Sequence, residues 1–193
     1  GPGDPGILRI GAAVKMRVFL IRHGKTEANE RRLYCGSTDL GLSEQGREEL
    51  NGIRFDISNV RFRTSGMKRA NETMELLFPG VPYEQDPRFR EVDFGAFEMH
   101  SYEDLKERAD YQAWLTGDNE RNVPPGGESG EQMTERVLSA YRRLTEDTCL
   151  VTHGGVIAAI MASLFPEENK HRYRWQPQNG HGYRITESGY EPI

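Results

Sequence analysis

Cysteine is scarce in this chain: 193 residues contain only Cys35 and Cys149. They could form one bridge at most. A chain of this size needs none, since folding already buries roughly 70% of the surface that the unfolded form exposes. That usage points to a reduced, cytoplasmic setting. Long apolar runs are missing as well. None approaches the roughly 20 residues that cross a bilayer, which excludes a helical membrane protein. Positive charge is not in excess either: 25 Lys and Arg face 30 Asp and Glu, for a net charge of −5. Binding to duplex nucleic acid usually needs a clustered basic face, so nucleic acid is disfavoured as a partner. A small anionic substrate, which needs only a few local arginines, is not. Residues 1–15 (GPGDPGILRIGAAVK) lack the basic start, apolar stretch and cleavage site of a signal peptide. They read as a flexible leader or vector-derived remnant, with a short strand around Ile7 to Ile10 as the alternative. Met16 is then a candidate start, and residues 16–193 form a single domain.

From Met16 the pattern alternates between short apolar runs and helical periodicity. Met16 to Ile21 (MRVFLI) and Thr148 to Thr152 (TCLVT) read as strands buried on both faces. Val60, Phe62 and Thr64 alternate with arginines as a further strand. Ser43 can N-cap a helix to about Ile53, with Glu44 in its first turn. Met67, Ala70, Met74 and Leu77 define a helical face that Pro79-Gly80 ends. Pro87 to His100 is irregular. Shorter helices are expected over Tyr102 to Arg108 and Tyr111 to Leu115, and Asn122 to Gly130 is a loop. Met133, Val137, Ala140, Tyr141 and Leu144 lie on one face of a long helix, and Val156 to Phe165 is an apolar helix. A hairpin of Gly182 to Thr186 and Tyr190 to Ile193, turning at Ser188-Gly189, closes the chain. The alternation predicts an α/β fold: three layers, α/β/α, around a mostly parallel central sheet.

Two segments share a design. The strand ending at Ile21 runs into Arg22-His23-Gly24, and the strand ending at Thr152 runs into His153-Gly154-Gly155. Each delivers a histidine at its carboxyl end, the edge of an open α/β sheet where ligands bind. The glycines, Gly154 among them, let backbone N–H groups approach a ligand, and the helix after His153 aims its positive end there. Phosphoryl chemistry suits this arrangement. A neutral imidazole can attack a phosphorus that repels anions and can form a covalent intermediate, while arginine binds phosphate oxygens as a permanently charged fork. Arg22 and His23 can reach one ligand only if the strand has ended there, because consecutive strand residues point opposite ways. A metal site finds no support in spacing: no histidines stand at i, i+4 and no cysteines form a close pair. No metal and no cofactor are expected.

The stretch Leu20-Ile21-Arg22-His23-Gly24-Lys25-Thr26-Glu27-Ala28-Asn29 resembles the histidine phosphatase superfamily, also called phosphoglycerate mutase-like. The likeness continues through Gly36-Ser37-Thr38-Asp39, Leu42-Ser43-Glu44-Gln45-Gly46, Thr64-Ser65, Lys68-Arg69-Ala70 and Thr73. It resumes in Arg90-Glu91-Val92-Asp93-Phe94-Gly95, Pro125-Gly126-Gly127-Glu128-Ser129 and Val151-Thr152-His153-Gly154-Gly155-Val156, covering Met16 to about Ile185. The resemblance implies that His23 becomes phosphohistidine, that Arg22, Arg69 and His153 complete a charged pocket, and that Glu91 protonates the leaving oxygen. It further implies an amide hydrogen bond from Asn29 and backbone approach at Cys35 and Gly36. On residue type alone, Arg69 would be a solvated helix charge, Asn29 a turn cap, and both cysteines packing residues. Proton donation by Glu91 implies an acidic-to-neutral activity optimum.

Within the family, the compact length and Arg90–Glu98 resemble the alpha-ribazole phosphatase type most, and a broad phosphomonoesterase is an equal alternative, because the match rests on general phosphatase features. A cofactor-dependent mutase fits less well, because the segment between the Glu91 motif and His153 is short and Phe94 stands where mutases usually carry Tyr. Family phosphatases often continue as Trp-Glu-Gly, whereas this chain has Phe97-Glu98-Met99. A non-catalytic phosphate-binding module is the remaining alternative. Tyr102, Tyr111 and Trp114 could lid the pocket, but aromatics at helical spacing usually pack a core. Oligomeric state cannot be read from the sequence.

Overall fold

A computed structural model of the protein describes residues 16–118 and 120–193, so the expectations for residues 1–15 lie outside the described residues. Six strands form one sheet: β1 (Val18–Arg22), β2 (Arg61–Thr64), β3 (Glu84–Gln85), β4 (Thr148–Thr152), β5 (Gly182–Thr186) and β6 (Gly189–Pro192). Their order is β3-β2-β4-β1-β5-β6. The β3/β2, β2/β4 and β4/β1 pairs are parallel, while β5 and β6 add antiparallel. The mostly parallel sheet is therefore as expected. The closing hairpin turns one residue early, because β6 already begins at Gly189.

The helices are α1 (Glu27–Arg31), α2 (Glu44–Asn51), α3 (Lys68–Leu77), α4 (Tyr102–Leu105), α5 (Ala109–Leu115), α6 (Gly130–Tyr141) and α7 (Gly154–Leu164). Ser43 caps α2 by accepting from the Gly46 amide at 3.0 Å. Ser129 caps α6 through a capping box with Gln132. None of the described helices is long and apolar enough to cross a membrane.

Period-two alternation in the central strands builds two cores. Val18, Leu20 and Leu150 face α6 and α7, where Met133, Val137, Tyr141, Ile157 and Ile160 are buried, together with Trp175 from the turn at Arg172–Trp175. Phe19, Ile21, Cys149 and Val151 face the other way, onto Ala70 and Met74 of α3 and onto Phe78. The sheet is thus covered on both sides, which fits central strands that read as continuous apolar runs. Phe97, Leu105 and Tyr111 form a third, separate core with Tyr34, Phe94 and Trp114 around it. The aromatics of this insertion pack one another, and only Tyr102 among those three candidates is exposed. Both cysteines are free thiols, Cys149 buried and Cys35 half-buried.

Candidate active site

Strand register assembles the site. Arg22 pairs with Thr152 across the parallel β1/β4 ladder, so His23 and His153 follow side by side at the same sheet edge. The His23 amide donates to the Thr152 carbonyl at 3.0 Å, and the two imidazole centroids lie 5.1 Å apart. On the far side of β4, Thr64 pairs with Val151, which places Ser65 next in the row. Ser65 Oγ sits 2.8 Å from His153 Nε2. Arg22 is the last residue of β1, so the strand ends one residue later than joint access by Arg22 and His23 requires in the simplest picture. The Arg22 guanidinium instead turns over Gly154, where a Cβ would lie 3.1 Å from Arg22 Nε. A side chain there would have to push the guanidinium aside by a few tenths of an ångström.

His23 has a defined tautomer. Its Nδ1 lies 2.6 Å from the Gly24 carbonyl oxygen, which can only accept, so Nδ1 carries the proton and Nε2 carries the lone pair. The loop is held from both sides: Asn179 Nδ2 donates to the His23 carbonyl at 3.0 Å and the Gly24 amide donates to Thr73 Oγ1 at 2.9 Å. Thr73 Oγ1 donates in turn to the Arg69 carbonyl at 2.7 Å, tying the His23 loop to α3.

Arg69 is not the solvated helix charge its residue type suggests. It lies in the first turn of α3 with only 1% of its surface exposed. It donates to the Thr38 and Gly36 carbonyls at 2.8 and 2.7 Å, leaving three of the five donors that a guanidinium carries. Arg22 Nη1 donates to the Pro177 carbonyl at 2.9 Å. Arg22 Nε and His153 Nδ1 are buried nitrogens without a hydrogen-bond partner. Two such orphans in one pocket are costly unless a ligand satisfies them. Glu91 reaches the same place from the irregular segment after Pro87–Phe89. Its Oε2 accepts from the Gly155 amide in the first turn of α7 at 2.9 Å, and Oε1 accepts from Val92 at 3.0 Å. The structure therefore brings Arg22, His23, Arg69, Glu91 and His153 to one pocket.

The remaining candidates are placed differently. Asn29 is the N3 residue of α1, where Oδ1 closes a capping box with Thr26 and leaves Nδ2 for donation. Cys35 Sγ donates to the Thr38 carbonyl at 3.5 Å, and burial pushes the thiol up from its ordinary value. The Gly36 amide is engaged by Glu98, and its carbonyl by Arg69, so its backbone serves the loop. A Cβ there would lie 1.7 Å from the Val92 carbonyl oxygen, a crossing only glycine permits. Glu98 organises this loop: its carboxylate accepts from the amides of Gly36, Ser37, Thr38 and Phe94 and from Thr38 Oγ1. Sequence reasoning quoted Ser65, Thr73 and Glu98 within motifs but gave them no role, and it missed Asn179. Among the described residues no group of three or more His, Cys, Asp or Glu could hold a metal.

Both histidines are held well below the usual imidazole range. Burial is the main cause for each, followed by the Arg69 cation, with Arg22 adding to it. Both are thus neutral in the resting pocket. The same shifts set a pH dependence of stability. The unfolded chain protonates these imidazoles below pH 6.5, whereas the folded chain does not, so stability falls as pH drops through that value. Each histidine contributes a slope of up to about 1.4 kcal/mol per pH unit. Urea unfolding at about pH 7 and about pH 5.5 should reveal that loss, and inorganic phosphate should reduce it. Equal stability at both pH values would contradict the shifts.

A doubly covered α/β sheet whose edge presents a buried neutral imidazole among two arginines, a second histidine and a carboxylate defines a class: enzymes that handle phosphoryl groups through histidine. Residues 18–192 match the histidine phosphatase superfamily (branch 1). The chain belongs to that family and is a phosphatase. It is 33% identical over 161 residues to the adenosylcobalamin/alpha-ribazole phosphatase of Salmonella typhimurium, covering 77% of this chain and 79% of the other. Its structure is similar to that of a putative alpha-ribazole-5'-P phosphatase from Escherichia coli, with a TM-score of 0.77 and 26% identity over 92% of this chain and 94% of that one. A phosphoglycerate mutase from Thermus thermophilus superposes with a TM-score of 0.71 and 30% identity, over 88% and 92% of the two chains.

Proposed function

We propose that the protein hydrolyses a small phosphomonoester through a phosphohistidine formed at His23 Nε2. The observation that carries this reading is the pair of orphaned buried nitrogens, Arg22 Nε and His153 Nδ1, in the pocket of an imidazole whose Nδ1 is committed to Gly24. Bound phosphoryl oxygens would satisfy those nitrogens and the spare donors of Arg69.

The geometry supports the following steps. The Nε2 lone pair attacks phosphorus, the bond from phosphorus to the ester oxygen breaks, and protonated Glu91 gives its proton to the departing alcohol. Water then attacks the phosphohistidine, Glu91 takes its proton, and phosphate leaves with His23 neutral again. Arg22, Arg69 and His153 stabilise the charge on the transferring oxygens. In such reactions positioning and electrostatics supply almost all the catalysis. Asn29 Nδ2 and the backbone around Cys35, Gly36 and Gly154 complete the substrate-binding set in this proposal.

The substrate we favour is alpha-ribazole phosphate, which makes the enzyme one of cobalamin assembly. The names of the Salmonella relative and of the Escherichia neighbour support it. The free thiols are in keeping with a cytoplasmic enzyme. The second reading, a cofactor-dependent phosphoglycerate mutase, rests on the likeness to the Thermus mutase. Comparing rates on alpha-ribazole phosphate, 3-phosphoglycerate with its bisphosphate primer, and small sugar phosphates separates the two. Phosphate release from the first at the highest kcat/KM is expected; phosphoglycerate isomerisation without net hydrolysis would overturn it. Hydrolysis is also expected to persist in EDTA, since Arg22 and Arg69 supply the positive charge. Activity that disappears with chelation and returns with a divalent metal would contradict the mechanism.

A further inference from the structure

The segment that carries Glu91 has almost no regular structure of its own, yet four consecutive carbonyls in it are caught. Arg136, midway along α6, donates from Nη1 to the carbonyls of Arg88 and Arg90 at 2.9 and 2.7 Å, and from Nη2 to the carbonyl of Glu91 itself at 3.0 Å. The carbonyl between them, of Phe89, accepts from Thr152 Oγ1 at 2.8 Å. Thr152 is the residue before His153. The other edge of the Arg136 guanidinium is gripped by both oxygens of Glu128, each at 2.8 Å. Glu128 and Asp93 then join the two loops, the Glu128 amide donating to the Asp93 carbonyl at 2.9 Å.

We infer that Arg136 is the positioning residue for Glu91: it fixes the backbone from Arg88 to Glu91 so that the carboxyl meets the ester oxygen that leaves phosphorus as His23 Nε2 bonds to it. Only a planar guanidinium can serve three carbonyls and a carboxylate at once. A lysine ammonium has three donors on a flexible stem and lacks the fork geometry. The inference rests on Glu91 being the proton donor of the proposed reaction. Its particular content is that the loop alone does not place the acid. Helix α6 does, through one side chain that touches neither substrate nor nucleophile.

The test exploits the need for an acid. A nitrophenolate leaves without help, whereas an alkoxide requires a proton. Phosphorylation of His23 by p-nitrophenyl phosphate and by an alkyl phosphate is measured in rapid-quench single turnovers for wild type, Arg136→Gln, Arg136→Lys and Glu91→Gln. A misplaced acid should lower the alkyl rate by on the order of 10- to 100-fold in both Arg136 variants, with less than about a threefold effect on the aryl rate. An equal loss on both substrates, or no loss on either, overturns the inference, because a purely structural arginine cannot discriminate leaving groups. Should Arg136→Gln fail to fold, Glu128→Gln loosens the same clamp from its other side and is expected to show the same bias; lack of bias there counts equally against it. If Glu91→Gln is biased but the clamp variants are not, only the clamp falls. If Glu91→Gln is itself unbiased, the proton-donor reading falls and the clamp with it.

Discussion

His23→Ala is expected to reduce phosphomonoester hydrolysis by roughly 10³-fold or more and to abolish the covalent phosphoenzyme. The expectation follows from a division of labour in which no neighbour can substitute. His153 Nε2 is engaged with Ser65 at 2.8 Å, and its Nδ1 has no partner to fix it as a nucleophile. Arg22 and Arg69 bear no usable lone pair. The anion pocket should nevertheless survive the change, since both arginines and His153 remain, so the variant should still bind inorganic phosphate. Steady-state hydrolysis of an aryl phosphate, alkaline-quench labelling of the enzyme and a phosphate titration together decide the matter. Retained turnover in the variant would place the nucleophile elsewhere. Wild-type protein that binds phosphate but turns nothing over would instead identify a non-catalytic binding module.

How much of this site was legible beforehand depends on whether a residue acts through local pattern or through register. The runs ending at Ile21 and Thr152 are apolar throughout, and such runs read directly as central strands; the histidines beyond them could be marked from sequence. Their juxtaposition could not. It depends on Arg22 pairing with Thr152 across strands separated by 130 positions, which no periodicity encodes. Ser65 enters the row by the same kind of register; the Thr64-Ser65 motif marks the position, but not that its hydroxyl meets His153. Arg69 misleads in the opposite way. A basic residue early in a helix looks solvated until tertiary packing covers it with the Gly36–Thr38 loop. Thr73 and Glu98 are further cases, because their partners are backbone groups of distant loops. Short elements were also beyond pattern reading. β3 has two residues, and α1 spans five residues held by the Thr26 and Asn29 capping pair. Cooperative periodicity needs more length than that.

Glu91→Gln should separate the two chemical steps. The amide keeps an acceptor for the Gly155 amide that Glu91 now engages at 2.9 Å, so the side chain can stay in place while losing its proton-transfer ability. With an alkyl phosphate both steps suffer, and turnover should fall by roughly 10²- to 10⁴-fold, the usual worth of a positioned acid or base. With an aryl phosphate the outcome differs in kind. The good leaving group departs unaided, so His23 is phosphorylated at near wild-type rate, but no base remains to activate water. The variant should release one equivalent of phenolate in a burst, then stall with acid-labile phosphate on the protein. Rapid-quench amplitudes and isolation of the phosphoenzyme measure this directly. A linear time course with no burst, or full alkyl turnover, would mean that the proton travels by another group. The burst has a further use, because a mutase loses the same phosphohistidine to an acceptor other than water. Adding 3-phosphoglycerate to the stalled enzyme would discharge it only if the pocket retains an acceptor site, whereas a phosphatase should remain stalled. The same preparation thereby distinguishes what takes the phosphoryl group from how it was captured.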